Sequence, residues 1–367
     1  MKTPIRCRPE DGIAMIIVMM VILVLGILAG GFAFSMKVET KLAQNSGFEG
    51  DLEWLGRSGI ELARYVLVET LNVPAEPWDS LNQKWAGGPM GTNEVLETVS
   101  LENNQLGPGS FSIKIIDLER KVNINLINEV SIPIFQAALN AANADPADIS
   151  TISDSLLDWI DIDENPHLSG SESADYIARP NPGYAPYIAK NGPIDDLSEL
   201  LLLRGMTPEV YFGPSERGGG APPPRSPMPM AFLDPMQTAG PPVGLVDLFT
   251  PISSGMININ TASAQVLQLI PGIDPSLAQA IVTFRAGLDG MEGTEDDTPF
   301  RTPGELINVP GMPPTIIQQS TGKFIIRSVT FEVIVDAHVG QYRRQYIGIL
   351  RRIPGNRDVQ TLLFHAR

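Results

Sequence analysis

The sequence predicts an α+β fold: one long N-terminal helix packed on a small antiparallel sheet, the sheet being interrupted by a large inserted α-helical domain. Three observations predict it. The run Ile13 to Met36 is uncharged and is followed by helix-compatible sequence as far as Leu71. Two pairs of β-rich segments lie far apart, one around residue 110 and one near the C-terminus. Between the two pairs the pattern is mostly helical.

The helix comes first. At ~1.5 Å per residue its uncharged run would cross a ~30 Å hydrocarbon layer. Lys2, Arg6 and Arg8 precede it, and the positive-inside rule keeps those charges in the cytoplasm and the rest of the chain outside. A secretory signal would have an apolar stretch of ~7–15 residues before a small-residue cleavage site; the run here is longer and continues as helix. Leu52, Leu55, Gly59, Leu62 and Val66 recur at steps of three and four, which lays one face of the continuation on a core. Gly47, Gly50, Gly56 and Gly59 each weaken that helix by about 1 kcal/mol relative to Ala, and a bend near Gly47 is expected. Glu94 to Leu101 and Ser110 to Asp117 read as strands joined by a turn at Gly107 to Gly109. Lys323 to Val339 and Gln341 to Arg352 read as a second hairpin around Gly340, alternating at Phe331, Val333 and Val335.

Composition excludes several functions. Lys plus Arg number 26 against 42 for Asp plus Glu, a formal net charge of −16, which repels phosphate backbones and makes nucleic acid an unexpected partner. Cys7 is the only cysteine, so no intramolecular disulfide can form. His167, His338 and His365 are scattered, and the sequence holds no P-loop, GxSxG, HExxH or paired CxxC. An enzyme is not expected.

A basic leader ending in Gly12, an apolar helix starting at Ile13 and an amphipathic continuation together resemble a prepilin. The resemblance implies cleavage by prepilin peptidase between Gly12 and Ile13, and a pilin-like core. Most pilins and pseudopilins carry Glu at the fifth mature position, where this chain has Ile17. A carboxylate in lipid is costly unless a cation meets it, and in the family that Glu is taken to pair with the terminal amine of the neighbouring subunit. A subunit at the tip has no neighbour above it, so Ile17 resembles the K-type minor pseudopilin of type II secretion. The match extends along the chain: Trp85-Ala86, DLERKVNIN at Asp117 to Asn125, DWIDIDEN at Asp158 to Asn165, ININTAS at Ile257 to Ser263, and TPGELINVPGM at Thr302 to Met312. The expected organisation is a leader 1–12, a transmembrane and filament helix 13–36, the first part of the pilin core 37–122, an inserted α-domain 123–318 and C-terminal strands 319–367.

The insert reads as duplicated. Asn123-Ile124-Asn125 followed by Asp196 to Pro208 is echoed by Asn258-Ile259-Asn260 followed by Pro303 to Pro314, with a Pro/Gly-rich loop, 213–244, between the units. Asn258 to Arg285 resembles the helix-hairpin-helix of competence DNA receptors. In the DNA-binding form the hairpin reads Gly-x-Gly so that backbone N–H groups reach a phosphate; here Gly272-Ile273 is followed by Asp274, whose carboxylate would cap the helix and repel phosphate. The hairpin is therefore expected to be a scaffold.

Asp161 to Glu172 places oxygen ligands at Asp161, Asp163, Asn165, Ser169 and Glu172, positions 1, 3, 5, 9 and 12 of a twelve-residue calcium loop. Pro166 stands where an EF-hand needs Gly, so it is not an EF-hand. Resemblance to K-type pseudopilins implies structural Ca²⁺ in the helical domain, with Asp175 as a further ligand. A second, weaker candidate is the acidic loop carrying Asp289, Glu295, Asp296 and Asp297. The expected function is a single-pass inner-membrane protein with its C-terminal domain in the periplasm. It would initiate the secretion pseudopilus with I-type and J-type minor pseudopilins before the major pseudopilin is added. A membrane-tethered DNA receptor and a minor pilin of a type IV pilus are the alternatives.

Overall fold

The computed structural model describes residues 10–89, 94–213, 243–319, 322–353, 355 and 357–367. Most of the leader, Met1 to Pro9, and most of the Pro/Gly-rich loop, 214–242, lie outside the described residues. Helix α1 (Glu10–Leu71) is continuous and passes through Gly47. Its first half is exposed from Ala14 to Leu42, whereas Leu52, Leu55, Ile60, Ala63, Val66 and Leu67 of its second half are buried. The glycines divide accordingly. A Cβ at Gly50 would meet nothing within 4 Å, but one at Gly56 would lie 2.5 Å from the Tyr346 ring and one at Gly59 2.4 Å from Val335. These two glycines let the helix lie close against the sheet.

That sheet has five antiparallel strands in the order β1-β2-β7-β8-β9. Strands β1 (Asn104–Leu106) and β2 (Gly109–Asp117) form the first hairpin. The expected strand over Glu94 to Leu101 is not there: Glu94–Glu97 is a short helix, α2. The tight turn at Gly107 pairs Leu106 with Gly109 and Asn104 with Phe111, so the residues next to the turn take the partner strand; the earlier run touches it at its last residue, where Leu101 O accepts from Ile113 N at 2.7 Å. The second hairpin forms as expected, with the alternating burial of Phe331, Val333 and Val335.

The insert leaves the sheet after β2 and returns at β7, both on adjacent strands. Its first unit runs through β3 (Val122–Asn123), α3 (Ile132–Ala141), α4 (Ile149–Ile160), α5 (Ser173–Ala178), α6 (Pro208–Phe212), α7 (Leu245–Leu248) and β4 (Phe249–Thr250). Its second runs through β5 (Ile257–Asn258), α8 (Ala264–Leu267), α9 (Pro275–Arg285), α10 (Pro314–Gln319) and β6 (Phe324–Ile325). Each unit is closed by a two-residue parallel strand pair, β3 with β4 and β5 with β6. The echo between the two Asn-Ile-Asn motifs is structural. Asn125 accepts from Ile194 N at 2.7 Å and donates to Ile194 O at 2.8 Å; Asn260 does the same with Phe300, at 2.8 and 2.9 Å. In both, the first Asn of the motif accepts from the N–H of the second. Both units share one apolar core, distinct from that under α1 and the sheet. The expected single strand from Lys323 to Val339 is split into β6 and β7 (Thr330–Val339), because β6 pairs inside the insert and Arg327 and Ser328 turn into a polar junction. Strands β8 (Tyr342–Arg352) and β9 (Val359–Ala366) complete the sheet.

Where insert and sheet meet, Asp79, Asp117, Glu119 and Arg352 are all buried. Arg352 lies 2.5 Å from Asp79. Asp117 accepts from Thr261, Ser328 and Asn258, and Glu119 accepts from Thr330 N and Ser254 N. Burial, and then the nearby Glu119 charge, push the Asp117 carboxyl up to about 7.

Candidate functional site

Helix α4 ends at Ile160, and the chain passes into the acidic loop. Among the residues expected to hold calcium, the structure brings Asp161, Asp163 and Glu172 together, with ligand oxygens within 4.8 Å of one another. Asp161 Oδ1 and both Glu172 carboxylate oxygens are buried and have no hydrogen-bond partner among the described residues. Burial pushes the Glu172 carboxyl up to about 7, and the charges of Asp158, Glu164, Asp161 and Asp163 add to that. Asp161 is raised by burial and by Asp163 and Asp158. Such a convergence of carboxylates is unfavourable until a proton or a cation enters it.

Two residues here were not among the expected ligands. Asp158, in the last turn of α4, is fully buried; its Oδ1 accepts from His167 N at 2.9 Å while Oδ2 has no partner among the described residues. The His167 ring lies beside it, and its pKa is raised by that carboxylate. A Cβ at position 170 would come 1.8 Å from Asp158 Oδ2, so only Gly170 lets the loop close here. The signal in the sequence was Asp158 three residues before Asp161, on one face of a helical turn.

Other expected ligands serve the loop itself. Asn165 donates to Asp163 Oδ1, and Ser169 N donates to Asp154. Asp175 Oδ2 accepts from Glu172 N at 3.3 Å at the start of α5. In the second acidic loop, Asp296 accepts from Leu288 N, Asp289 N and Thr294, Asp297 from Gly293 N, and Asp289 from Met291 N. Those carboxylates are already satisfied by the turns they stabilise, and Glu295 joins no cluster of converging ligands among the described residues.

At the other end of the molecule, α1 from Ala14 onward is long and apolar enough to cross a membrane. Gly12 and Ile13 lie in its backbone, outside the residues whose side chains are described, and Ile17 is exposed on the rod. In the hairpin of the second unit, Asp274 caps α9 by accepting from Leu277 N at 2.8 Å and also accepts from Ser276. Those two bonds hold its carboxyl below the usual carboxylate range. The helix start that a phosphate would need therefore carries a fixed negative charge.

Comparison with known proteins follows this geometry. Residues 117–212 match the family described as type II secretion system (T2SS), protein K, and residues 253–325 match the helix-hairpin-helix motif. Type II secretion system protein K of Pseudomonas aeruginosa is 25% identical over 354 residues, covering 94% of this chain and 90% of that protein. The Klebsiella pneumoniae protein of the same name is 33% identical over 113 residues, which are 28% of this chain and 33% of its own length. A chain of the crystal structure of the GspK-GspI-GspJ complex from enterotoxigenic Escherichia coli shares the fold, with a TM-score of 0.61, 16% identity, and coverage of 89% of this chain and 99% of that one. The apolar rod, the sheet with its doubled helical insert and these matches agree: the chain is similar to type II secretion system protein K over nearly its whole length, and residues 117–212 carry that family's domain.

Proposed function

We propose that this chain caps the type II secretion pseudopilus and starts its assembly, without enzymatic activity. Its apolar rod anchors it once in the inner membrane, with the sheet and insert in the periplasm. Prepilin peptidase cuts between Gly12 and Ile13. The observation that carries the reading is the rod itself: it is exposed from Met15 to Met36 and has Ile17 at the fifth mature position. A rod of this kind needs apolar neighbours yet offers no carboxylate to a subunit stacked above it. The relative solved with GspI and GspJ supports I-type and J-type minor pseudopilins as the neighbours, with the major pseudopilin added afterwards and folded cargo pushed across the outer membrane.

The carboxylate pocket is proposed as a structural calcium site. Orphaned, buried oxygens of Asp161 and Glu172 with Asp163 alongside fit a hard, oxygen-seeking cation. Calcium bound by these residues would neutralise them and fix the loop between α4 and α5. Asn165 and Asp175 support the loop.

Mass spectrometry of the mature N-terminus tests the anchor, with Ile13 as the expected first residue. Cross-linking of assembled pseudopili tests the position: wild type is expected only at the end of the filament, and Ile17→Glu is expected to enter the shaft. Wild-type protein found along the shaft would overturn the reading.

A further inference from the structure

We propose that the surface of the first helical unit around His167 docks a second protein, one that presents an apolar hollow rimmed by Lys and Arg. Val130, Ile162 and Leu168 are aliphatic and stand 91%, 90% and 102% exposed, so none of them packs on the body of the chain. His167 brings them to one place. Its Nε2 lies 3.7 Å from Oε1 of Glu129, the neighbour of Val130, and its Nδ1 lies 4.0 Å from Oδ2 of Asp161, the neighbour of Ile162; Leu168 follows it directly. A single exposed aliphatic residue is ordinary on a protein surface, whereas a group of them with a polar rim marks an interaction site.

Charge names the occupant. Residues 123–212 carry 14 Asp and Glu against three Lys and Arg, a net charge of −11 out of the −16 of the whole chain. One dication would leave that sign unchanged, so the inference does not depend on the calcium reading. The rim is acidic: the Glu129 side chain is 83% exposed, and Asp163 and Glu164 are exposed beside Ile162. The three basic groups are engaged with their own unit, Lys190 with Asp195 and Glu199, Arg179 with Asp175, and Arg204 over the Tyr176 ring. Such a field repels anionic lipid, and it repels a second copy of the same unit. It attracts a basic protein face. Because the three aliphatic side chains protrude, that face needs an apolar hollow to receive them and exclude water.

The full-length chain, in its own cells, is given the photo-cross-linker p-benzoylphenylalanine in place of Leu168, of Ile162 or, as a control on the sheet, of the exposed Lys114; cross-linked peptides are identified by mass spectrometry. The expected result is that the first two positions trap one and the same protein, through a segment that carries Lys or Arg beside apolar residues, and that the control does not. Val130→Asp is expected to lower the yield at Leu168 about 10-fold. Glu129→Lys is expected to lower it by a similar factor, as is about 0.5 M salt with the purified pair. Val130 and Glu129 are exposed, so both variants should keep the wild-type circular dichroism spectrum. Cross-links only to phospholipid or to other copies of this chain, a trapped segment that is acidic, yields unmoved by Val130→Asp and Glu129→Lys, or no cross-link at either position overturns the proposal.

Discussion

Glu172 carries the largest consequence at the scale of single residues. Its folded carboxyl titrates at about 7 instead of 4.5, so the calcium-free fold holds a proton that the unfolded chain has released. Stability from that proton is complete below about pH 4.5 and is lost as the pH rises through about 7. Calcium-free protein is therefore expected to melt at progressively lower temperature between those limits. Calcium at a hundred times its dissociation constant should add about 2.7 kcal/mol at neutral pH. Glu172→Gln removes one charge from the pocket; it should raise the calcium-free melting temperature at pH 7.5 and abolish most of the calcium response, as scanning calorimetry would read. An unchanged calcium response in the variant would remove Glu172 from the ligand set. Alternation of oxygens along the chain made Asp161, Asp163 and Glu172 legible. Asn165 carried the same signal but bonds within the loop, and so does Asp175, which lies beyond the twelve-residue spacing. Asp158 was missed because it lies on a helix, before the twelve-residue spacing begins; its place one helical turn before Asp161 was the signal, and the fold of the loop over Gly170 closes on it.

Helix α1 shows how one element answers two demands. Sequence periodicity identified its buried face, but treated its glycines only as weak points; close approach to Tyr346 and Val335 explains two of them. Gly59→Ala would gain about 1 kcal/mol of helix propensity and lose about 1–3 kcal/mol to overpacking against Val335, a net destabilisation. Gly50→Ala faces open space and should gain the propensity alone. Urea unfolding of the two variants in detergent separates them; equal shifts would mean that the helix does not press on β7. The first hairpin was half legible for a related reason. Alternating apolar residues in Glu94 to Leu101 resemble a strand, but pairing is decided by the turn, and the turn recruits Asn104 to Leu106 instead.

Across the whole molecule, the junction joins insert to sheet through groups that no local pattern singles out. Asp79, Asp117, Asn258, Ser328 and Arg352 are far apart in sequence and meet only once both cores have formed. The helix, the sheet and the duplication could be read from repeating patterns; this contact set could not, because nothing repeats in it. Asp117, titrating at about 7 instead of 3.8, stabilises the fold most below about pH 4 and loses that contribution as the pH rises through about 7. In calcium-saturated protein, Asp117→Asn is expected to flatten the fall in melting temperature over that interval, because its amide keeps the shape without the charge. A slope identical to wild type would show that another group titrates there. The return of the chain has a mechanical consequence. Leu118 N donates to Thr330 O at 3.0 Å, so the insert departs and re-enters at one spot on two paired strands. Tension applied along the rod is carried into the strands that lie under it, and the doubled head hangs outside the path of that load. A pull on the rod therefore leaves the packing inside the head unloaded.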